Sequence, residues 1–369
     1  MRLLYFSRDY TPHDHRFLAS LAKTEHQVYF LRLERRGQQL EDRPLPPEVQ
    51  QVIWKGGRAP FRWGDFPALW LDFKRVVRQI QPDLVHAGPV PNVAFLAASS
   101  GVHPLVSMSW GSDLLLDVEH DRWQNWCARF ALQRTAVLTG DCQAVKEKAT
   151  ALGFPEARVV LFPWGIDLDL FSPGPDLNFR SRRRWEDAFV LLSLRNWEPV
   201  YGVDVLVRAF AQAAKKAPEL RLVLLGGGSQ AGLVQKIIYD SGLQDRVYLG
   251  GLVKNTELPE FYRAADLYLS ASHSDGSSVS LMEALACARP VLVSDIPGNK
   301  EWITPDQEGW YFADGNVEAL AEGILKAVYE RKNLPDMGAA ARRLAEKRAD
   351  WSKNFLKLLG AYQMAIGVN

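Results

Sequence analysis

Two carboxylates and a run of small polar residues lie close together in the second half of the sequence, where Asp275 and Glu283 flank residues 276–280. Apolar residues recur with helical spacing from 279 to 286, so a helix is predicted to begin inside this run. The amino end of a helix offers unpaired amide donors and the positive end of a dipole, and therefore attracts phosphate. Small residues let a ligand approach the backbone closely. With a carboxylate on each side to accept hydrogen bonds from sugar hydroxyls, the combination suits a sugar joined to a diphosphate.

A purely structural interpretation fits the same residues. Ser280 and Glu283 have the spacing of a capping box, in which the glutamate only reaches back to an amide at the helix start. Asp275 and Gly276 also fit an ordinary turn. The local pattern leaves both interpretations open.

The surrounding elements would position this segment. An apolar run at 266–269 predicts a buried strand before the loop, Pro290 must end the helix, and 291–293 predicts the next strand. Strand-like and helix-like segments alternate along almost the whole chain, which favours parallel sheets of the α/β class. Further strands are predicted at 2–6, 27–33, 49–54, 83–87, 104–109, 136–139, 159–162, 189–194, 220–225 and 246–249. Helices are predicted at 67–80, 141–152, 258–264 and through the tail, 317–369.

Composition limits the classes of function. A chain of 369 residues that is 47% hydrophobic is expected to form two domains of roughly 100–200 residues each. Its net charge of +1 implies no global attraction for nucleic acid. The three cysteines, Cys127, Cys142 and Cys287, lack metal-ligand spacing and fit a reducing compartment. No run reaches the roughly 18 apolar residues of a membrane span, and no signal-peptide core is present. We expect a cytoplasmic protein, at most peripheral to the inner membrane surface.

The segment 270–303 resembles the signature of the large retaining glycosyltransferase family numbered four. That signature has two acids separated by seven residues, then a helix, a strand and a glycine-containing turn that ends in glutamate. The corresponding residues here are Asp275, Glu283, Gly298 and Glu301. The family usually has glutamate at the first acid. Asp275 keeps the carboxylate but has a shorter reach, so the preferred sugar could differ from that of other members.

The resemblance implies an α/β protein with the GT-B fold, in which two Rossmann-like doubly wound domains face across a cleft. Residues 1–174 would bind the acceptor, residues 175–350 would bind the nucleotide sugar, and a helix in 351–369 would cross back to the first domain. The implied reaction is hexosyl transfer with retention, from a nucleotide-diphosphate sugar to a hydroxyl of a carbohydrate or lipid-linked acceptor. Such a reaction serves glycan, polysaccharide or glycolipid synthesis and is expected to need no metal or other cofactor.

The resemblance also assigns donor-side residues. Arg195 would meet the donor diphosphate, and Asp275 and Glu283 complete the catalytic set. The family has a lysine where this chain has Tyr201, so one phosphate-binding cation is missing. A surface ion pair between Arg195 and Glu198 is the structural alternative. The remaining predicted donor-binding residues, with Val253 at the nucleobase, are Gly228, Val253, Gly276, Ser278, Val279 and Ser280.

Acceptor-side residues are predicted after two strands of the first half, because ligands in doubly wound folds lie beyond the carboxyl ends of strands. They are His13 and Asp14 in the first loop, and Trp110 and Asp113 in a later one. His13 and Asp14 could instead cap a helix or, with His15, suggest a metal; Asp113 could also cap a helix. The family commonly has histidine at the position of Trp110, and a tryptophan can stack on a sugar but cannot carry a proton.

Other patterns have competing interpretations. The loop 226–231 matches the dinucleotide pattern with alanine last, but a nicotinamide site would want an acid at the end of the next strand, which ends in Gly250 and Gly251. A nicotinamide oxidoreductase and a non-catalytic nucleotide-sugar-binding protein therefore remain alternatives. Asp167 and Asp169 resemble a metal-binding pair or a structural turn. Residues 61–78 form a basic amphipathic pattern, which usually packs in a core but also suits weak peripheral contact with an anionic membrane.

Overall fold

The computed structural model describes residues 1–35, 41 and 43–367. The chain divides into two compact units, one of Met1–Trp164 with the segment that begins at Ser352, and one of Gly165–Trp351. The first unit therefore ends before the predicted boundary at residue 174. The intervening residues belong to the second unit because Ile166 bridges Asp350 and Arg342 donates to the carbonyl of Phe171 at 2.9 Å. Residues 368 and 369 of the predicted terminal segment lie outside the described residues.

In the first unit, seven parallel strands form one sheet in the order β3-β2-β1-β4-β5-β6-β7. All seven lie at predicted places, although the third is much shorter than predicted. The strands are β1 Arg2–Ser7, β2 Gln27–Arg32, β3 Gln50–Gln51, β4 Leu84–Gly88, β5 Leu105–Met108, β6 Val137–Gly140 and β7 Val159–Leu161.

In the second unit, six parallel strands form a sheet in the order β10-β9-β8-β11-β12-β13. They are β8 Phe189–Ser193, β9 Leu220–Leu225, β10 Val247–Gly251, β11 Leu267–Ser270, β12 Val291–Ser294 and β13 Gly309–Phe312. Strand β13 has no counterpart among the predicted strands. The predicted α/β class with two Rossmann-like units is confirmed.

Helices cover the sheets, and their apolar faces supply the two cores. In the first unit they are α1 Pro12–Leu21, α2 Phe66–Ile80, α3 Phe95–Ser99, α4 Val118–His120, α5 Arg122–Gln133 and α6 Gln143–Ala151, together with α14 Trp351–Gly367, which begins at the unit boundary. In the second unit they are α7 Val203–Ala213, α8 Ala231–Asp240, α9 Leu258–Ala264, α10 Val279–Ala286, α11 Pro297–Lys300, α12 Val317–Tyr329 and α13 Leu334–Arg348.

Both sheets reverse their strand order at a central pair, β1 with β4 and β8 with β11. Ligands of doubly wound sheets bind beyond the carboxyl ends of the strands at such a point. In the second unit, the loop after β8 carries Arg195 and the loop after β11 carries Asp275. The topology therefore brings these two residues together, although they are far apart in the sequence.

Candidate active site

Arg195 is the centre of a buried polar cluster in the second unit. Its Nη2 lies 2.7 Å from Oδ2 of Asp275, and both side chains are largely buried, at 12% and 18% exposure. Its Nη1 donates to the Ser278 hydroxyl at 2.8 Å and to the Ser280 hydroxyl at 3.2 Å. Three predicted site residues thus converge on the predicted arginine.

The ion pair determines the charges of this cluster. Burial raises the pKa of Asp275, while the Arg195 charge and the Ser278 hydroxyl act in the opposite direction. Burial disfavours the charged guanidinium, but Asp275 and neighbouring tyrosines outweigh it, so the pKa of Arg195 is raised. Arg195 therefore stays cationic, and its charge limits the rise in the pKa of Asp275.

Glu198 does not pair with Arg195, contrary to the structural alternative for these residues. Its carboxylate instead accepts hydrogen bonds from the amide of Ser229 at 2.9 Å and from the Ser229 hydroxyl at 2.5 Å. These bonds join the loop after β8 to the glycine-rich loop after β9. Gly228 lies in that second loop, where a Cβ would lie 2.6 Å from the carbonyl oxygen of Trp197.

Tyr201 packs directly on Arg195. The guanidinium carbon lies 4.3 Å from the centre of the tyrosine ring, within the range of a cation–π contact. The residue at the position of the family lysine therefore supports the arginine instead of adding a second cation. The sequence alone showed only that a lysine is replaced by an uncharged residue, and it gave no sign that Tyr201 packs on Arg195.

Helix α10 begins inside the predicted phosphate seat. Ser278 is its N-cap residue and makes no side-chain capping hydrogen bond. The capping-box interpretation of Ser280 and Glu283 was therefore wrong, because it requires Ser280 as the N-cap and the helix begins two residues earlier than that. Gly276 and Ser278 are buried and Val279 is half-buried.

Glu283 has a different partner from the one that a capping box would supply. Its side chain is 3% exposed, and it accepts a hydrogen bond of 2.8 Å from the hydroxyl of Tyr262. Tyr262 lies on α9, just after the loop that carries Val253, and burial raises its pKa well above the ordinary value. Tyr262 thus links the predicted ribose-binding acid to the helix that follows the predicted nucleobase loop, and sequence analysis did not identify it.

Close backbone contacts hold the loops around this cluster. Gly202 precedes α7 with φ +56°, and a Cβ there would overlap the carbonyl oxygen of Ala271. A Cβ at Gly298 would overlap the carbonyl oxygen of Asp275. The turn at the end of the signature is therefore packed against the backbone that carries its first acid.

The acceptor-side acids of the first unit are engaged in internal hydrogen bonds. Asp14 is fully buried and forms a capping box with Thr11 at the start of α1. It also accepts a hydrogen bond from the hydroxyl of Tyr5 at 3.0 Å, and burial raises the pKa of Asp14 to about 6. Asp14 therefore caps helix α1, as the alternative interpretation of this residue predicted.

Asp113 joins two loops at the carboxyl ends of β4 and β5. Its oxygens accept hydrogen bonds from the Ser109 hydroxyl at 2.7 Å and from the amides of Trp110 and Val90 at 2.9 and 2.8 Å. Burial raises the pKa of Asp113 to about 6. Trp110 is half-buried, and its ring lies 5.3 Å from that of His13. The two aromatic residues, and not the two acids, offer surface at this loop cluster.

Within the described part of the chain, no group of three or more His, Cys, Asp or Glu side chains has the arrangement of a metal site. Asp167 accepts hydrogen bonds from the amides of Asp169 and Leu170 at 2.9 and 3.0 Å. The apparent metal-binding pair is therefore a local turn.

Comparison with protein families adds to this geometry. The model described as "Glycosyltransferase Family 4" matches residues 13–170, and the model described as "Glycosyl transferases group 1" matches residues 176–344. The chain belongs to glycosyltransferase family 4. Membership confirms the predicted family and excludes the nicotinamide oxidoreductase, whose ribose-binding acid is also missing after β10.

Relatives of this family 4 glycosyltransferase include sugar transferases of several bacteria. A GDP-mannose-dependent α-(1-6)-phosphatidylinositol monomannoside mannosyltransferase of Mycolicibacterium smegmatis is 25% identical over 281 residues, 72% of this chain and 71% of the relative. A D-inositol 3-phosphate glycosyltransferase of Kineococcus radiotolerans is 34% identical over 241 residues, 60% of this chain and 55% of the relative.

Solved structures share its fold. The HepE protein of Anabaena, in complex with UDP, superposes with a TM-score of 0.80 at 18% identity, over 98% of this chain and 100% of that one. A sucrose-phosphate synthase of Thermosynechococcus elongatus gives a TM-score of 0.82 at 17% identity over all of both chains. The fold is therefore GT-B, as predicted.

Proposed function

We propose that this family 4 glycosyltransferase moves a hexosyl group, with retention of configuration, from a nucleotide-diphosphate sugar to a hydroxyl of a carbohydrate or lipid-linked acceptor. The main support for the proposal is an unused hydrogen-bond donor on the buried Arg195 side chain. Its Nε is buried and has no hydrogen-bond partner, although such a donor normally finds one. An anionic ligand beside α10 would supply the missing acceptor.

The donor would be bound by the second unit. Its diphosphate would meet Arg195 and the amide groups at the start of α10, where the helix dipole favours negative charge. Asp275 would accept a hydrogen bond from the sugar, and Glu283 from the ribose hydroxyls, while Val253 would meet the base. The buried hydroxyl of Tyr262 would hold the Glu283 carboxylate in position during this contact.

In the proposed reaction, the bond from the sugar anomeric carbon to the diphosphate oxygen breaks and a bond from the acceptor oxygen forms. The electron pair of the broken bond stays on the diphosphate, where Arg195 stabilises the developing charge. The acceptor proton passes to an oxygen of the leaving phosphate. No protein nucleophile is required for this sequence.

The relatives support the choice of substrates. One is named for GDP-mannose and a phosphatidylinositol mannoside, and another for an inositol phosphate. Structural neighbours were solved with UDP or UDP-glucose. We therefore propose a hexose on GDP or UDP as donor, used in glycan or glycolipid synthesis.

A non-catalytic nucleotide-sugar-binding protein is the second candidate. Two departures favour it, namely Tyr201 at the position of the family lysine and Trp110 at the position of the family histidine. Under this candidate the donor would bind but would not be consumed.

Incubation with a panel of GDP and UDP sugars tests both candidates. Thermal-shift screening selects the donor that binds, and release of free nucleoside diphosphate with an acceptor panel distinguishes transfer from binding alone. NMR of the new anomeric linkage then tests retention. A donor that binds with no turnover across the panel would favour the non-catalytic candidate, and an inverted product would refute retention.

A further inference from the structure

The first unit carries a continuous surface of aromatic side chains on one side of its sheet. Six residues form it, and we call them the aromatic surface: Phe61, Trp63, Phe66, Trp123, Trp126 and Phe130. The rings of Trp123 and Trp126 stack with centres 5.0 Å apart, and Trp63 meets Trp123 edge-on at 5.5 Å. Residues from the turn before α2, from the first position of α2 and from α5 therefore make one surface.

This surface is exposed although it is built from large apolar side chains. Trp63, Trp123 and Trp126 are 38%, 47% and 49% exposed. Beneath them, Phe95 is buried and its ring lies 5.6 Å from that of Trp126. A large exposed patch of this kind usually marks an interaction site.

Basic residues surround the aromatic surface. Arg62 and Arg122 precede two of its tryptophans and are exposed, and Arg129 and Arg134 lie on or next to the same helix, α5. Arg134 covers the ring of Phe130 at 3.6 Å. Three exposed acids lie nearby in sequence, Asp65, Glu119 and Asp121. Asp121 is the N-cap of α5 and accepts a hydrogen bond from the amide of Trp123, and Glu119 pairs with Lys148 at 2.7 Å. Because Lys148 neutralises Glu119, the four arginines leave a net positive charge around the aromatic surface.

The sequence pattern at 61–78 was compatible with core packing, its usual role, and with peripheral membrane contact, and α2 packs in the core. The apolar side of α2 is buried in the core through Leu69, Phe73 and Val76. Its basic face alone would give only a weak electrostatic contact. The exposed tryptophans lie in the turn before α2 and on α5.

We propose that the aromatic surface docks on the interfacial region of an anionic lipid bilayer. Tryptophan is enriched at the headgroup level of membranes, where its ring is apolar and its N–H stays wet. Arginines at the rim attract anionic headgroups. A neutral glycan is a poorer match, because stacking between Trp123 and Trp126 covers ring faces that a sugar would use and the rim is cationic. The proposal does not depend on the donor chemistry, whose residues lie in the second unit.

In the described part of the chain, no helix is long and apolar enough to cross a bilayer. Docking would therefore be peripheral and reversible, with the tryptophans reaching roughly 5–10 Å into the headgroup region.

Vesicle co-sedimentation tests the proposal. Wild-type protein should bind vesicles of phosphatidylcholine mixed with phosphatidylglycerol and bind phosphatidylcholine alone much more weakly. The pair Trp123→Ala and Trp126→Ala should weaken binding by at least about tenfold, since apolar burial contributes about 25 cal/mol per Å². The pair Arg62→Gln and Arg122→Gln should weaken it by roughly 25-fold, at about fivefold for each charge.

Matched controls come from the second unit. Tyr329 is 91% exposed on α12, so Tyr329→Ala removes an exposed ring elsewhere, and Arg182→Gln removes an exposed charge. Both should bind like wild type. Trp126→Phe keeps the ring packing and should retain most binding, which keeps the test valid even if the alanine pair fails to fold. Nucleotide binding by every folded variant should match that of wild type.

Three results would overturn the proposal. The first is no preference of wild-type protein for the anionic vesicles, and the second is equal binding by wild type and both double variants. The third is binding of a soluble neutral oligosaccharide that the tryptophan variants abolish, which would make the surface a glycan platform.

Discussion

Removing the Arg195 side chain should separate the structural and chemical roles of the cluster. In Arg195→Ala, the Asp275 carboxylate loses the ion pair of 2.7 Å, and the hydroxyls of Ser278 and Ser280 lose a shared donor. Because both charged side chains are largely buried, breaking the pair is expected to cost about 3–5 kcal/mol of unfolding free energy. The ring of Tyr201 also loses its cation.

The loss should depend on pH. Burial raises the pKa of Asp275 and Arg195 opposes this rise, so the pKa should be higher still in Arg195→Ala. A carboxyl whose pKa is higher in the folded than in the unfolded state stabilises the fold at low pH, and this contribution is lost as pH rises through the folded pKa. The stability deficit of the variant should therefore shrink as pH is lowered from neutrality.

The chemical loss is expected to be of a different kind. Removing one preorganised donor to a developing anion costs roughly 10²–10³ in rate. Release of nucleoside diphosphate gives kcat and KM, and urea unfolding gives the stability. Arg195→Lys should recover part of the stability but little of the rate, because an ammonium group cannot reproduce the planar fork.

A matched variant keeps the two effects apart. Arg180 pairs with Asp266 at 2.8 Å with 16% and 18% exposure, in the same unit but outside the cluster. Arg180→Ala should lose a similar amount of stability and keep its turnover. If Arg195→Ala and Arg180→Ala lose equal stability and both keep near-normal kcat, then Arg195 does not stabilise the leaving group and the proposed chemistry is wrong.

Four further predictions concern the donor site and the first unit. Glu283→Gln should weaken donor binding by about 10–100-fold in calorimetry, since a charged hydrogen bond is worth about 1.5–3 kcal/mol, with little change in the melting temperature of the free protein; equal affinities would leave Glu283 a structural partner of Tyr262. Tyr201→Lys should lower the melting temperature, because it places a second cation beside Arg195, yet tighten UDP or GDP binding by about tenfold; no change in nucleotide affinity would contradict a phosphate near this position. The pKa of Asp113 is raised to about 6, so the unfolding free energy of wild type should rise by on the order of 2–3 kcal/mol relative to that of Asp113→Asn as pH falls from about 7 to 4. If urea unfolding gives the same difference between the two proteins at every pH in that range, Asp113 does not have a raised pKa. Turnover should survive EDTA; loss of activity that Mg²⁺ or Mn²⁺ restores would show that a metal takes part.

Much of the fold could be predicted from local pattern, because apolar strands buried on both faces and amphipathic helices have distinct periodicities. The helix at 258–264 has the predicted bounds, and every predicted strand has an observed counterpart. Where prediction was poorer, long-range contacts decided the outcome. Strand β3 is only Gln50–Gln51. The first unit ends at Trp164 and not at the predicted residue 174, because Ile166 pairs with Asp350 in the second unit.

The sequence alone determined which family this chain belongs to, because the two acids, the helix and the glycine turn of the signature are spaced along one continuous segment. It could not determine which residues are in contact when they are far apart in the sequence. Arg195 meets Asp275 only because β8 and β11 are neighbours at the reversal of strand order. Tyr262 and Glu283 lie on different helices, and only the folded chain brings them within 2.8 Å of each other.

Tertiary structure also decided whether certain residues are buried and bonded internally or are accessible to a ligand. Their residue types are compatible with both roles. Asp14 and Asp113 have the chemistry of acceptor-binding acids, but burial and internal donors engage them. Trp63, Trp123 and Trp126 are large and apolar, yet all three are substantially exposed. Burial and partnership depend on the whole packed chain, so residue type and spacing cannot reveal them; only the folded arrangement of sheet, turn and helix does.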